Sequence, residues 1–233
     1  VSDHLTEEEQ LEALKRWWKE NGKWIVTAVV IAVGGYFGWN TYQDQQQAKA
    51  EAGSAIYSEL LETLAVEEGS AVSEDDRARA GELVEQLKTE HANSAYGANA
   101  ALIRARWAVD EGDLETAESE LRWVLEQETA EAIQQLARLR LARVLSARGQ
   151  LDDALATLEA GTPADSIAAE YAEARGDILS EQGDNDGAAQ AYQSALDSLD
   201  AQQQNRVLLL QMKLDNVQPA TADDTSGSEE NAS

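Results

Sequence analysis

Cysteine is absent from the 233 residues. Its absence excludes disulfides, thiolate zinc sites and cysteine nucleophiles; it suits an oxidising compartment without fixing one. Proline occurs only at Pro163 and Pro219, and phenylalanine only once. Ala, Leu, Glu and Gln abound instead, and no run alternates Val, Ile and Thr, so the chain reads as helix without sheet. Basic residues are scarce: 18 Lys and Arg stand against 44 Asp and Glu, a formal net charge of −26. Six acids and four bases precede residue 44, which leaves −24 on the remainder. Such a field repels nucleic-acid phosphates, so no nucleic-acid partner is expected. Solubility in a salty medium and a specific basic partner both account for the charge.

The chemistry of enzymes is missing as well. His4 and His91 are the only histidines, and the orientation argued below puts them on opposite sides of a membrane. No Gly-rich phosphate loop, zinc-ligand spacing or nucleophile elbow occurs. Gly183-Asp184-Asn185-Asp186-Gly187 faintly suggests a calcium loop. Registered on Gly187, however, its first and twelfth positions are Gln182 and Gln193, which supply no carboxylate. Neither a cofactor, a metal nor catalysis is expected.

Long apolar runs are also rare, and the single one present is informative. Lys23 and Asp44 bracket 20 uncharged residues, Trp24 to Gln43. At 1.5 Å per residue such a helix reaches roughly 30 Å, the thickness of the hydrocarbon layer. Trp24, Ile31, Gly34, Gly38 and Trp39 mark its course, with aromatic residues at both ends. Gly34 and Gly38 form a Gly-x-x-x-Gly pair, open to close helix packing or simply typical of membrane helices. Lys15, Arg16, Lys19 and Lys23 precede the span, and only Lys49 closely follows it. The excess of basic residues predicts a cytoplasmic head and a translocated remainder. Ala48-Lys49-Ala50 resembles a signal-peptide cleavage site, but a 23-residue head carrying six acids does not resemble a signal peptide.

The head, residues 1–23, predicts an amphipathic helix from Glu7 to about Glu20, capped by Thr6 with Glu9 reaching back. Leu11, Leu14 and Trp18 share a face, fit for seating on the membrane interface or for docking a cytoplasmic partner.

Beyond residue 44 the chain repeats. Gly112, Gly149 and Gly183 lie 37 and 34 residues apart, each followed five residues later by Ala117, Ala154 and Ala188. Leu121, Leu158 and Tyr192 come four residues further on, and Ala105, Ala142 and Gly176 come seven before each glycine. The pattern predicts a helix, a tight turn with φ > 0 at glycine, and a second helix held close by small residues. It resembles the tetratricopeptide repeat, with three to four degenerate units; Arg104 and Arg175 stand where that pattern has leucine. Helices are also expected over 44–68, 74–90 and 202–215. The first two form an atypical early pair, and the last, with Val207, Leu208, Leu210 and Leu214, caps the stack. The residues from 217 to 233 are acidic and Ser/Thr-rich, and read as a disordered tail. The expected fold class is therefore all-α: one transmembrane helix over 24–43, then a tetratricopeptide-like helical-repeat domain over 44–216. By the repeat pattern Leu102 and Arg106, Leu139 and Arg143, and Glu173 and Asp177 line a groove, basic at one end and acidic at the other. Ordinary solvated surface is the alternative.

One segment narrows the reading. Glu9-Gln10-Leu11-Glu12-Ala13-Leu14-Lys15-Arg16-Trp17-Trp18-Lys19-Glu20-Asn21-Gly22-Lys23, the glycine-dotted span ending Gly38-Trp39, Tyr96-Gly97, and Leu210-Gln211-Met212-Lys213-Leu214-Asp215-Asn216 stand in that order. Together they resemble the YfgM-type ancillary subunits of the SecYEG translocon over roughly residues 7–216. The resemblance implies a single-pass protein of the bacterial inner membrane with a periplasmic repeat domain. It implies partners too: the SecYEG translocon, a membrane-anchored periplasmic chaperone of the prolyl-isomerase type and, at the cytoplasmic side, an envelope-stress response regulator. A non-enzymatic accessory that passes translocated proteins to periplasmic chaperones is the expected function. A signalling adaptor acting through its head and an envelope-assembly scaffold are the alternatives.

Overall fold

The computed structural model describes residues 7–65, 72–201 and 203–218. Thr6, the expected cap of the head helix, lies outside them, as do residues 66–68 and 202 of two expected helices and residues 219–233 of the tail. Among the described residues the elements are all helical. They are α1 (Glu7–Leu64), α2 (Glu74–Glu90), α3 (Ala95–Asp110), α4 (Leu114–Glu126), α5 (Glu131–Ala147), α6 (Leu151–Glu159), α7 (Asp165–Gln182), α8 (Asn185–Asp197), a 3-10 turn (Gln204–Arg206) and α9 (Val207–Val217).

Two units divide the chain at residues 52 and 53. The first consists of α1 up to Ala52. The head, the span and the helix beyond it were expected as separate pieces, yet α1 runs through all three. Asn21-Gly22 does not interrupt it: Asn21 Nδ2 donates to the carbonyl of Trp17 at 3.0 Å, and Trp18 folds over Gly22. An 18-residue window of this helix has a mean hydropathy of 1.3, and none of it is buried. A helix apolar on all sides belongs in a protein core or a membrane. Among the described residues nothing packs over this window, and its length and composition suit a membrane span.

The second unit begins at Gly53. The remainder of α1 brings Ile56, Tyr57, Leu60 and Leu64 against Leu83, Val84 and Leu87 of α2, the expected early pair. Ser73 caps α2, its hydroxyl accepting from the backbone N–H of Asp76, and Glu74, Asp75 and Asp76 complement the positive helix end. Tyr96 and Gly97 tie this pair to the repeats. The Tyr96 ring meets Tyr57 at 5.7 Å between centroids. A Cβ on Gly97 would stand 2.5 Å from the carbonyl oxygen of His91, so only glycine lets α3 start against the end of α2.

Three helical pairs follow: α3 with α4, α5 with α6, and α7 with α8. Gly112, Gly149 and Gly183 have φ of 78°, 75° and 83°. In each turn the residue after the glycine donates to the carbonyl five back: Asp113 to Ala108, Gln150 to Leu145, and Asp184 to Leu179, at 2.8–2.9 Å. The glycine itself donates three back, which completes a Schellman motif. Asp113 and Asp184 then cap α4 and α8. Gln150 makes no such bond, although it holds the same place.

Packing explains the paired residue sizes. Ala117, Ala154 and Ala188 are fully buried, and Leu121, Leu158 and Tyr192 fill the space they leave. The third pair exchanges sizes: Gly176 is smaller than Ala105 or Ala142, and Tyr192 is larger than Leu121 or Leu158. A Cβ on Gly176 would meet the Tyr192 ring at 2.5 Å. The first helices of successive pairs also touch, α3 with α5 and α5 with α7. Gln135 staples the loop before α7 to α5: its amide donates to the Thr162 carbonyl at 3.2 Å and its oxygen accepts from Ala164 N at 3.1 Å.

Helix α9 closes the unit on α8, with Leu210, Leu214 and Val217 buried. Two expectations are corrected here. Val217 belongs to the helix and not to the tail, because it completes the buried i, i+3/i+4 stripe. Leu208 is not on the buried side: it is 72% exposed, beside Leu209 and Met212.

Candidate partner-binding surface

In the first unit Trp24, Ile31, Gly34, Gly38 and Trp39 lie on α1 within the apolar stretch. Trp24, Ile31 and Trp39 are exposed. A Cβ at Gly34 or at Gly38 would meet nothing within 4 Å, so the glycine strip is bare. Leu11, Leu14, Trp17 and Trp18 of the head are exposed as well.

The expected groove of the second unit divides into parts. Leu102 and Leu139 are 4% and 3% exposed and belong to the core. They are corrected as groove-lining residues: the first helices of neighbouring pairs approach closely enough to cover them. Arg106 and Arg143 are exposed. Both line a cleft of about 420 Å³ whose walls come from α3, α4 and α5. Val109, Leu121 and Val144 give it an apolar lining, and Arg140 is the third arginine in it. Burial, and then the charges of Arg106 and Arg143, pull the Arg140 guanidinium below its ordinary value. Arg106 Nε lies 3.8 Å from Asp110 across an exposed surface.

The acidic end is closed. Glu173 is 6% exposed and Asp177 is half-buried. Lys213 of α9 reaches both, with Nζ 2.7 Å from Glu173 Oε1 and 2.7 Å from Asp177 Oδ1. Arg206 adds ion pairs to Glu170 and Glu173. Burial raises the Glu173 carboxyl, but Lys213 and Arg206 more than offset this and hold it below the usual carboxylate range. Burial lowers Lys213, and Asp177 and Glu173 reverse that and raise it. Tyr192 donates its hydroxyl to Asp177 at 2.8 Å; burial and this carboxylate push the phenol up.

Three of these residues escape a reading of repeats. Arg140 lies outside the aligned repeat positions, although it stands three before Arg143. Arg206 and Lys213 lie outside the repeats altogether, and their ion pairs span 33 to 40 residues. The only signal in sequence was their sign, two cations in an acidic chain.

With this geometry in view, known proteins place the chain. A profile described as a tetratricopeptide repeat-like domain matches residues 15–219. A protein of Haemophilus influenzae named ancillary SecYEG translocon subunit is 33% identical over 213 residues, covering 91% of this chain and 98% of its own length. Proteins of the same name from Neisseria gonorrhoeae and Escherichia coli K12 are 30% and 34% identical, covering 93% and 82% of this chain and 100% and 88% of their own lengths. The glycine turns, the apolar stretch of α1 and Tyr96-Gly97 fall within that shared length, and the chain belongs to the family of ancillary SecYEG translocon subunits with a tetratricopeptide repeat-like domain.

Proposed function

We propose that this protein is a non-enzymatic accessory of the SecYEG translocon, held in the bacterial inner membrane by the 24–43 stretch of α1. Its head, residues 1–23, faces the cytoplasm, and the 44–216 domain works in the periplasm. There it passes emerging proteins to periplasmic chaperones, including a membrane-anchored chaperone of the prolyl-isomerase type. The observation that carries this reading is the end-to-end similarity to proteins named for the translocon. The four basic residues before the span favour the orientation. The unpaired arginines of the repeat unit support work by protein contact.

Membranes expressing the tagged full chain, dissolved in mild detergent and affinity-purified, are expected to yield translocon subunits by mass spectrometry. Recovery no greater than with an unrelated single-pass protein overturns the proposal. The exposed Leu11, Leu14, Trp17 and Trp18 row supports a second reading, in which the head docks an envelope-stress regulator. A regulator that the full chain enriches, and a chain without residues 1–20 loses, favours that reading.

A further inference from the structure

We propose that the cleft between α3, α4 and α5 docks an acidic, partly apolar segment of another polypeptide. Arg106, Arg140 and Arg143 take its carboxylates, while the exposed Val109, backed by the buried Leu121 and Val144, takes an apolar side chain beside them. This deepens the functional proposal, and rests on it only for the view that the repeat domain works by protein contact.

The first argument is a reversal of charge. Beyond Gly53 the sequence holds thirteen Lys and Arg. Eleven have an Asp or Glu within 4.0 Å, as expected in a chain with so many acids. Among the described residues the other two are Arg140 and Arg143, and both line this one cleft. Three guanidinium groups are thus gathered where the nearest carboxylate, Asp110, reaches only Arg106. Arg140 is half-buried, so its charge is incompletely hydrated as well as repelled by its neighbours. An anion in the cleft relieves both costs.

The second argument comes from the other end of the same row. Arg106, Arg143 and Asp177 each stand six residues before the turn glycine of their repeat. At the third repeat the position is acidic, and α9 sits against it with Lys213 on Asp177, while Arg206 of the preceding 3-10 turn pairs with the neighbouring Glu173. This surface therefore already receives a chain segment of complementary charge. Where the row turns basic, charge complementarity calls for an acidic segment.

The apolar lining decides what kind of anion. Inorganic phosphate makes no use of the exposed Val109 wall, whereas a peptide places a side chain against it. The surrounding negative field repels an acidic segment at long range. That repulsion fades beyond about 8 Å at physiological salt, and the three arginines govern the contact itself. Arginine also pairs with carboxylates through two parallel hydrogen bonds, which adds direction to attraction.

The test uses the purified full chain in detergent micelles and a short fluorescein-labelled peptide of glutamate and leucine, read by anisotropy. Charge-assisted hydrogen bonds of about 1.5–3 kcal/mol correspond to tenfold or more in affinity. The double variant Arg140→Gln/Arg143→Gln is expected to weaken binding at least about tenfold. Because Arg140 is half-buried, the exposed single variant Arg143→Gln is measured too, and is expected to weaken binding about threefold or more while the fold is retained. Arg122→Gln, an exposed arginine paired with Glu118, leaves binding unchanged. Equal affinity for a peptide with glutamine in place of glutamate overturns the proposal, as does binding that ignores the loss of Arg140 and Arg143. Displacement by inorganic phosphate at equal charge concentration reduces the cleft to a simple anion site and overturns it too. Binding that appears only after removal of residues 219–233 assigns the cleft to the chain's own acidic end, again against the proposal. No translocon is present in this assay, so its failure is distinct from a failed co-purification.

Discussion

At the scale of single residues, side-chain volume is matched across helices. Gly176 and Tyr192 occupy the places that Ala105 and Leu121, and Ala142 and Leu158, hold in the other repeats. Gly176→Ala adds one methyl where the Tyr192 ring already stands at 2.5 Å. Overpacking costs about 1–3 kcal/mol, and alanine returns up to about 1 kcal/mol in helix propensity. The net expectation is a loss of about 1–2 kcal/mol, read as a lower midpoint in thermal or urea unfolding followed by circular dichroism. Tyr192→Leu should then cost less in the Gly176→Ala background than in the native chain, because the two sites share one space. Additive costs would remove the proposed coupling. The sequence showed a small residue at Gly176 and a large one at Tyr192, since both fall on the repeat. It did not show that their sizes compensate, which requires the two helices in contact.

At the scale of elements, α9 is the piece whose seat depends on charge. Its apolar contacts through Leu210 and Leu214 are ordinary, but Lys213 and Arg206 meet a carboxylate that is 6% exposed. Lys213→Met is expected to destabilise the unit by about 1–3 kcal/mol near neutral pH, the range for hydrogen bonds to charged groups. The pH dependence has a definite sign. Glu173 is held below its unfolded value of about 4.3, so its contribution is present above that pH and is lost as pH falls through the folded value. Lys213 is raised, so its contribution is complete below about pH 10.4 and is lost as pH rises through its folded value. The gap in melting temperature between native chain and Lys213→Met should therefore be steady from about pH 5 to pH 10 and close below about pH 4. A gap independent of acid would show that Lys213 acts by packing alone. The sequence also read as a separate head helix, span and following helix. No residue between them breaks helix, since Asn21 and Gly22 are absorbed with their hydrogen bonds intact, and α1 is continuous.

At the scale of the whole molecule, a net charge of −26 sets opposing effects against each other. Exposed ion pairs are worth about 0–1 kcal/mol each and weaken with salt. Repulsion among the excess acids also weakens with salt, and it acts between many more pairs. The second effect should win. Raising sodium chloride from about 0.05 M to about 0.5 M is expected to raise the melting temperature of the repeat domain by several degrees, measured on the full chain in micelles. A falling melting temperature would make the ion pairs, and not the repulsion, the dominant electrostatic contribution. Sequence alone determined what depends on local properties. The helical class follows from composition, the apolar stretch from hydropathy, and the three turns from glycine, which can hold φ near 80° where other residues strain. The tertiary structure decided the fate of the charged row. Whether Arg143, Glu173 or Asp177 faces solvent, an ion pair or an open cleft depends on residues 33 to 40 positions away and on how closely α3, α5 and α7 approach. Periodicity fixes the side of a helix on which a residue lies; only the packed neighbours fix what covers it.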